Sequence, residues 1–130
     1  EDVAKSVQEI TDGKGVPVVY DSVGASTFEG SLDSLAPRGV LVSFGNASGP
    51  VPPFEPSILA QKGSLYFTRP TLMTYTAERT DLVESANALF DAVAKGVKIE
   101  ASQTYALKDT AEAHRALEAR ETTGSTVLIP

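Results

Sequence analysis

The chain has 130 residues, 42% of them apolar and 22% charged, with a formal net charge of −6. That length suits one compact domain with its own core, and the acidic balance, with Lys and Arg scattered, argues against a nucleic-acid partner, which needs clustered cations. Cysteine is absent, which excludes disulfides, thiolate metal sites and thiol nucleophiles, and no apolar run approaches the ~20 residues that span a bilayer.

A chain without thiols is compatible with a reducing cytoplasm, and cytoplasmic is the expected compartment. No secretion signal is read. The first residue is Glu, not Met, and it falls within a helical pattern, so a fragment of a longer protein is expected.

Val3, Val7 and Ile10 recur at helical spacing and predict an amphipathic helix. Thr11-Asp12-Gly13-Lys14-Gly15 ends it, since a Gly past the last turn takes the left-handed conformation without cost. Val16 to Tyr20 reads as a short buried parallel strand with Pro17 at its start. Ser26 and Glu29 have the spacing of a capping box. Phe28, Leu32 and Leu35 then form one helical stripe, stopped by Pro37-Arg38-Gly39. Val40 to Phe44 is a second strand. The order helix, strand, helix, strand implies right-handed crossovers and a parallel sheet.

Pro50, Pro52, Pro53 and Pro56 exclude a regular element and predict an extended surface loop. Such a segment could serve an SH3-like domain, but a stiff loop is the simpler reading. Ser57 to Gln61 is one helical turn, and Ser64 to Thr68 a third strand closed by Pro70. The longest helix runs from Ala77 to Lys95, with Leu82, Ala86, Leu89, Phe90 and Val93 as its buried face. Val97 to Leu107 holds one or two short strands. Asp109 and Glu112 suggest another capping box, Ala113, Ala116 and Leu117 a short helix, and Thr126 to Ile129 a last strand.

Three strand ends therefore follow in series: Asp21-Ser22-Val23-Gly24, Phe44-Gly45-Asn46 and Thr68-Arg69-Pro70. Ligands of open parallel sheets bind at the carboxyl ends of the strands. Short side chains at Asp21 to Gly24 let a ligand approach, although Asp, Ser and Gly also favour plain turns. Phe44 offers a flat apolar face, Gly45 close backbone approach, and Asn46 two donors and an acceptor; a tight turn explains the same residues. Arg69 reads either as part of a site or as a surface cation. Asn46-Ala47-Ser48 spells a glycosylation acceptor, taken here as chance. His114 is the sole histidine and stands beside Glu112, Arg115 and Glu118, a solvated position with no partner cluster. With no converging ligands, a zinc site is not expected. The Gly-rich turn of a dinucleotide site is missing.

Val19-Tyr20-Asp21-Ser22-Val23-Gly24, Gly39 to Asn46, Gln61 to Pro70, and the ending Tyr105 to Asp109, Ala113-His114-Arg115 and Gly124 to Pro130 resemble the quinone oxidoreductases. These form the zinc-free, NADPH-dependent, zeta-crystallin-like branch of the medium-chain dehydrogenase/reductase superfamily. The resemblance covers the whole chain, in order. It implies an α/β fold, the C-terminal half of a Rossmann (doubly wound parallel) sheet over residues 1–96, with a returning segment of the catalytic domain over 97–130. The catalytic domain, the Gly-rich phosphate turn and the residue that selects the 2′-phosphate would all lie upstream.

By the same resemblance, Ser22 lies near the adenosine part of NADPH and Phe44-Gly45-Asn46 against the nicotinamide ribose. The backbone of Thr68-Arg69-Pro70 would hold the nicotinamide end, and Arg120 would reach the phosphates. Arg120 also suits a helix C-terminus simply as a cation. The implied activity is hydride transfer from NADPH to a quinone, with no catalytic side chain in this segment. The edge strand Leu65 to Thr68 would pair across a two-fold axis into a homodimer. The alternatives are a related enone or alcohol reductase of the superfamily and, from another class, a non-catalytic module that dimerises through that edge.

Overall fold

The computed structural model describes residues 2–130. They divide into two units, the first ending at Ala77 and the second running from Glu78 to Pro130. Among the described residues no helix is long and apolar enough to cross a membrane.

In the first unit, α1 spans Val3–Ile10 and is opened by Asp2, whose carboxylate accepts the Lys5 amide at 3.1 Å. β1 (Val16–Asp21), β2 (Leu35–Ser43) and β3 (Tyr66–Thr68) form one parallel sheet in the order β1-β2-β3. Between them lie α2 (Phe28–Asp33) and α3 (Ser57–Gln61), and α4 (Leu72–Tyr75) follows. The expected sheet of three co-directional strands is present, with all three carboxyl ends on one side.

Register decides which residues share a face. Val19, Leu41 and Phe67 stand in one row. That row faces the core of Phe28, Leu32, Leu35, Leu41 and Leu65, and Leu41 has no exposed surface at all. The Pro-rich segment is more than a surface loop. It brings Phe54 onto the core, with ring centroids 4.9 Å from Phe28 and 5.4 Å from Phe67. Each such aromatic pair contributes about 1 kcal/mol beyond its buried area.

Several local expectations are corrected. Leu35 belongs to the start of β2, not to the helical stripe, because pairing begins at Val16↔Leu35 and the Val16 amide donates to the Ser34 carbonyl at 2.9 Å. It is buried in either role, so the stripe could not distinguish them. Pro37-Arg38-Gly39 interrupts β2 rather than ending a helix. The register jumps from Val16↔Leu35 to Val18↔Val40, with Arg38 at φ 64°. The close fit explains Gly15, where a Cβ would lie 2.7 Å from Ala36 N and Leu35 C. The Ser26–Glu29 capping box is absent. Thr27 holds the N-cap position and its hydroxyl is engaged by Asp21, while the Ser26 amide donates to Ser48 Oγ at 3.0 Å. β3 begins at Tyr66 instead of Ser64, since the Leu65 amide turns back to the Leu59 carbonyl at 2.9 Å.

In the second unit, α5 spans Arg79–Ala94, within the expected range. The face read as buried is not: Leu82 is 40%, Leu89 58%, Phe90 66% and Val93 36% exposed. β4 (Ala101–Ala106) and β5 (Ser125–Ile129) pair in parallel, joined by a 3₁₀ turn at Leu107–Asp109 and α6 (Thr110–Glu118). Asp109 is the N-cap of α6 but its side chain makes no capping bond, so the second capping box also fails. The preceding 3₁₀ turn already engages the Thr110 hydroxyl, which donates to the Leu107 carbonyl. Ala113 is the buried residue of α6.

Candidate functional site

The site grows from the tip of β1. Asp21 is 6% exposed and turned inward. Its carboxylate accepts from the Val23 amide at 2.7 Å, the Gly24 amide at 3.1 Å, the Ser31 hydroxyl at 2.7 Å and the Thr27 hydroxyl at 2.8 Å. Burial alone pushes this carboxyl up, but the hydrogen bonds from Ser31, Thr27, Gly24 and Val23 together outweigh it and hold it below its ordinary value. Asp21 is thus an ionised clamp that shapes the turn after β1. Sequence reasoning saw only a turn former.

The turn after β2 is zipped onto that clamp. The Phe44 amide donates to the Asp21 carbonyl at 2.8 Å, Ala47 to Ser22 at 3.2 Å, Ser48 to Val23 at 2.8 Å and Ala25 to Gly49 at 3.0 Å. Ser48 Oγ adds a second bond to the Val23 carbonyl at 2.8 Å. Ser48 was missed by sequence reasoning because a Ser in a turn carries no signal of which strand end it will bridge. Gly45 was expected to leave room for a ligand. The Ser22 backbone also comes close there: a Cβ on Gly45 would lie 2.8 Å from Ser22 Cα and run into the Ser22 carbonyl.

Phe44, Thr68, Arg69 and Pro70 meet along one open cleft of about 740 Å³ at the strand ends, on the sheet face opposite the core. Tyr20, Leu72 and Tyr75 complete its apolar wall. Arg69 is the sole charged residue of that lining, and its guanidinium donates to the Ser43 carbonyl at 2.8 Å. Arg69 is exposed, with its guanidinium anchored at that carbonyl. Ser22 and Asn46 are exposed on the two zipped turns beside the cleft, with Gly45 half-buried between them, and none of the three lines it. Arg120 belongs to the second unit, where it takes φ 60° just past α6. His114 is exposed on α6.

The lining combines flat rings, four hydroxyls, one cation and no carboxylate, a composition suited to a flat organic ligand. A zinc ion is not matched. The sequence has no cysteine and one histidine, and among the described residues no three His, Asp or Glu side chains converge.

Residues 1–128 match the family of zinc-binding dehydrogenases. A quinone oxidoreductase of Pseudomonas aeruginosa is 57% identical over 131 residues, covering all of this chain and 40% of that protein. The solved structure of an Escherichia coli quinone oxidoreductase complexed with NADPH is 52% identical, with a TM-score of 0.92 over all of this chain and 41% of that one. A 2-haloacrylate reductase of Burkholderia is 45% identical across the whole chain and 40% of its own length. The chain spans about 40% of the length of these curated relatives, with the Rossmann-type half-sheet and crossovers in common. The chain belongs to the zinc-binding dehydrogenase family, and within it to the part that resembles the quinone oxidoreductases.

Proposed function

We propose that this chain is the nicotinamide-holding part of an NADPH-dependent quinone reductase, with hydride passing to a quinone in the full-length protein. One observation carries the reading: three parallel strands deliver Tyr20 from the first, Phe44 from the second and Thr68, Arg69 and Pro70 from the third to a single cleft without a carboxylate. NADPH, when bound, supplies the hydride. The chain's own part is to bind and orient. Phe44 gives the ring an apolar face, Gly45 and Asn46 offer backbone and amide groups to the ribose, and the Thr68-Arg69-Pro70 backbone holds the carboxamide end. Ser22 lies toward the adenosine and Arg120 toward the phosphates. No side chain here moves a proton, since a reduced quinone takes one from water.

Residues 1–96 would then belong to the nucleotide fold and 97–130 to the returning segment of the catalytic domain. The free edge of β3 would form a homodimer, and the protein would work in the cytoplasm. A reductase of another acceptor is the second reading, favoured by the 2-haloacrylate reductase among the relatives. A non-catalytic dimerising module is the alternative from a different class, and it describes the isolated chain best.

The test is NADPH oxidation, followed by absorbance, in the full-length protein that contains this chain, with quinone and 2-haloacrylate offered as acceptors. Preferred turnover of quinone supports the proposal. Preferred turnover of the haloacrylate moves it to the second reading, and the absence of saturable NADPH binding ends both.

A further inference from the structure

We propose that Arg69 is a positioning residue, whose guanidinium replaces the backbone donor that Pro70 lacks and so fixes the end of β2 that carries Phe44, Gly45 and Asn46. In the middle strand of a parallel sheet, the N–H and C=O of one residue point to the same neighbour, and those of the next residue to the other. The Phe44 amide donates to Asp21 of β1 at 2.8 Å. Ser43, one residue earlier, must therefore face β3.

The β2–β3 register runs through Val40↔Tyr66, Leu41↔Phe67 and Val42↔Thr68. One step further, the Ser43 carbonyl would accept the amide of residue 70. That residue is Pro70, which has no N–H. Ser43 is 2% exposed, so water cannot readily replace the lost donor. The Arg69 guanidinium fills the gap at 2.8 Å. The bond is charge-assisted, and therefore stronger than the amide bond it replaces. Among the described residues the one ion pair is Lys62 with Asp33, so no carboxylate competes for Arg69.

The consequence is local. β3 is three residues long and its ladder ends at Thr68. Beyond that point the Arg69–Ser43 bond is what holds the second and third strand ends side by side. Phe44, the residue after Ser43, then faces the cleft that Thr68, Arg69 and Pro70 share. The effect on cofactor binding rests on the function proposed above; the effect on the β2 end does not.

The test uses the full-length protein with Arg69→Met, Arg69→Lys, and Arg69→Met combined with Pro70→Ala, which returns an N–H to the missing position. Two readouts are taken: amide hydrogen exchange at Phe44 and Ala47, whose amides donate to the Asp21 and Ser22 carbonyls, and kcat against KM for NADPH. Arg69→Met is expected to speed exchange at both amides and to raise KM roughly tenfold, with kcat changed less than threefold. Pro70→Ala on that background is expected to recover most of both effects, a non-additive pair. Arg69→Lys, which keeps a donor, is expected to stay near wild type.

No recovery by Pro70→Ala, or unchanged exchange in Arg69→Met, overturns the proposal, because loss of a phosphate-binding charge could not be repaired by a backbone amide. If Arg69→Met alone does not fold, folding of the double variant supports the inference. If neither folds, Arg69→Lys decides, and fast exchange at Phe44 in that variant overturns it. Wild-type protein that fails to bind NADPH would defeat the proposed function while leaving the exchange data to decide this one.

Discussion

The Thr27 hydroxyl lies 3.0 and 2.8 Å from the two oxygens of the Asp21 carboxylate, so the first turn of α2 is tied to the last residue of β1. Ser31 Oγ reaches the same carboxylate one turn later, at 2.7 Å. Among the described residues this buried charge has no cationic partner; hydroxyls and amides satisfy it instead. A neutral amide at this position could accept from some of these donors but would turn an NH₂ toward the others. Asp21→Asn is therefore expected to destabilise the chain by about 1–3 kcal/mol at neutral pH, read as the shift in a urea unfolding midpoint. Asp21→Asn with unchanged stability would remove the clamp from the account.

The same clamp gives a pH dependence of fixed sign. The Asp21 carboxyl is held below its ordinary 3.8 in the folded chain. Between that ordinary value and the lower folded one, the unfolded chain binds the proton and the folded chain does not, so stability is lost as the pH is lowered through this window. Above it the contribution is fully present, and below the folded value it is gone. Urea melts from pH 7 down through the acid range should show an acid-side loss for wild type that is smaller in Asp21→Asn. Equal slopes for the two would contradict the lowered carboxyl.

Gly45 gives a steric prediction. A methyl there meets the Ser22 backbone, not a flexible side chain, so neither turn can yield cheaply. Gly45→Ala is expected to cost about 1–3 kcal/mol, in the range of overpacked sites. Hydrogen exchange should quicken at Ala47 and Ser48, whose amides zip the two turns. Gly30 is the control, because its Cβ would meet nothing within 4 Å.

Much of this arrangement is legible in the sequence. Val16 to Tyr20 and Val40 to Phe44 are short, dense apolar runs, and such runs separated by helical patterns dictate a parallel sheet with its tips together. The errors lie where one residue suits two roles. Leu35 is buried both as the end of a helical stripe and as the start of a strand, so periodicity could not place it. Ser26 and Glu29 have the spacing of a capping box, but a carboxylate six residues before Thr27 claims the N-cap hydroxyl. The Arg69 bond to Ser43 spans 26 residues; the sequence shows the missing donor at Pro70 but not the carbonyl that needs it. The face of α5 was inferred from spacing, which shows that a stripe exists and not what covers it.

The core makes a simpler prediction. Leu41 is fully enclosed at the centre of the Val19–Leu41–Phe67 row. Leu41→Ala is expected to destabilise the first unit by about 2–5 kcal/mol, the range for large-to-small changes at sites that cannot collapse. The sheet backbone on either side of Leu41 is hydrogen-bonded to both neighbours, which limits such collapse. A loss under about 1 kcal/mol in a urea melt would mean that the α2 side of the sheet is less tightly packed than the structure shows.

The last prediction concerns the isolated 130 residues. On the function proposed above these residues hold mainly the nicotinamide end, whereas dinucleotide affinity comes largely from a Gly-rich turn whose amides and helix N-terminus take the pyrophosphate. No such turn occurs in this sequence. The chain also spans about 40% of its quinone oxidoreductase relatives, so most of what would enclose a quinone lies in the remainder. Without enclosure, water stays in the cleft and the acceptor is not held beside the ring. The purified chain is therefore expected to oxidise no NADPH above the uncatalysed rate with a quinone present, and to bind NADPH much more weakly than the full-length protein. Turnover by these residues alone would show that the strand ends suffice, and that the phosphate turn matters less for this family than its chemistry implies.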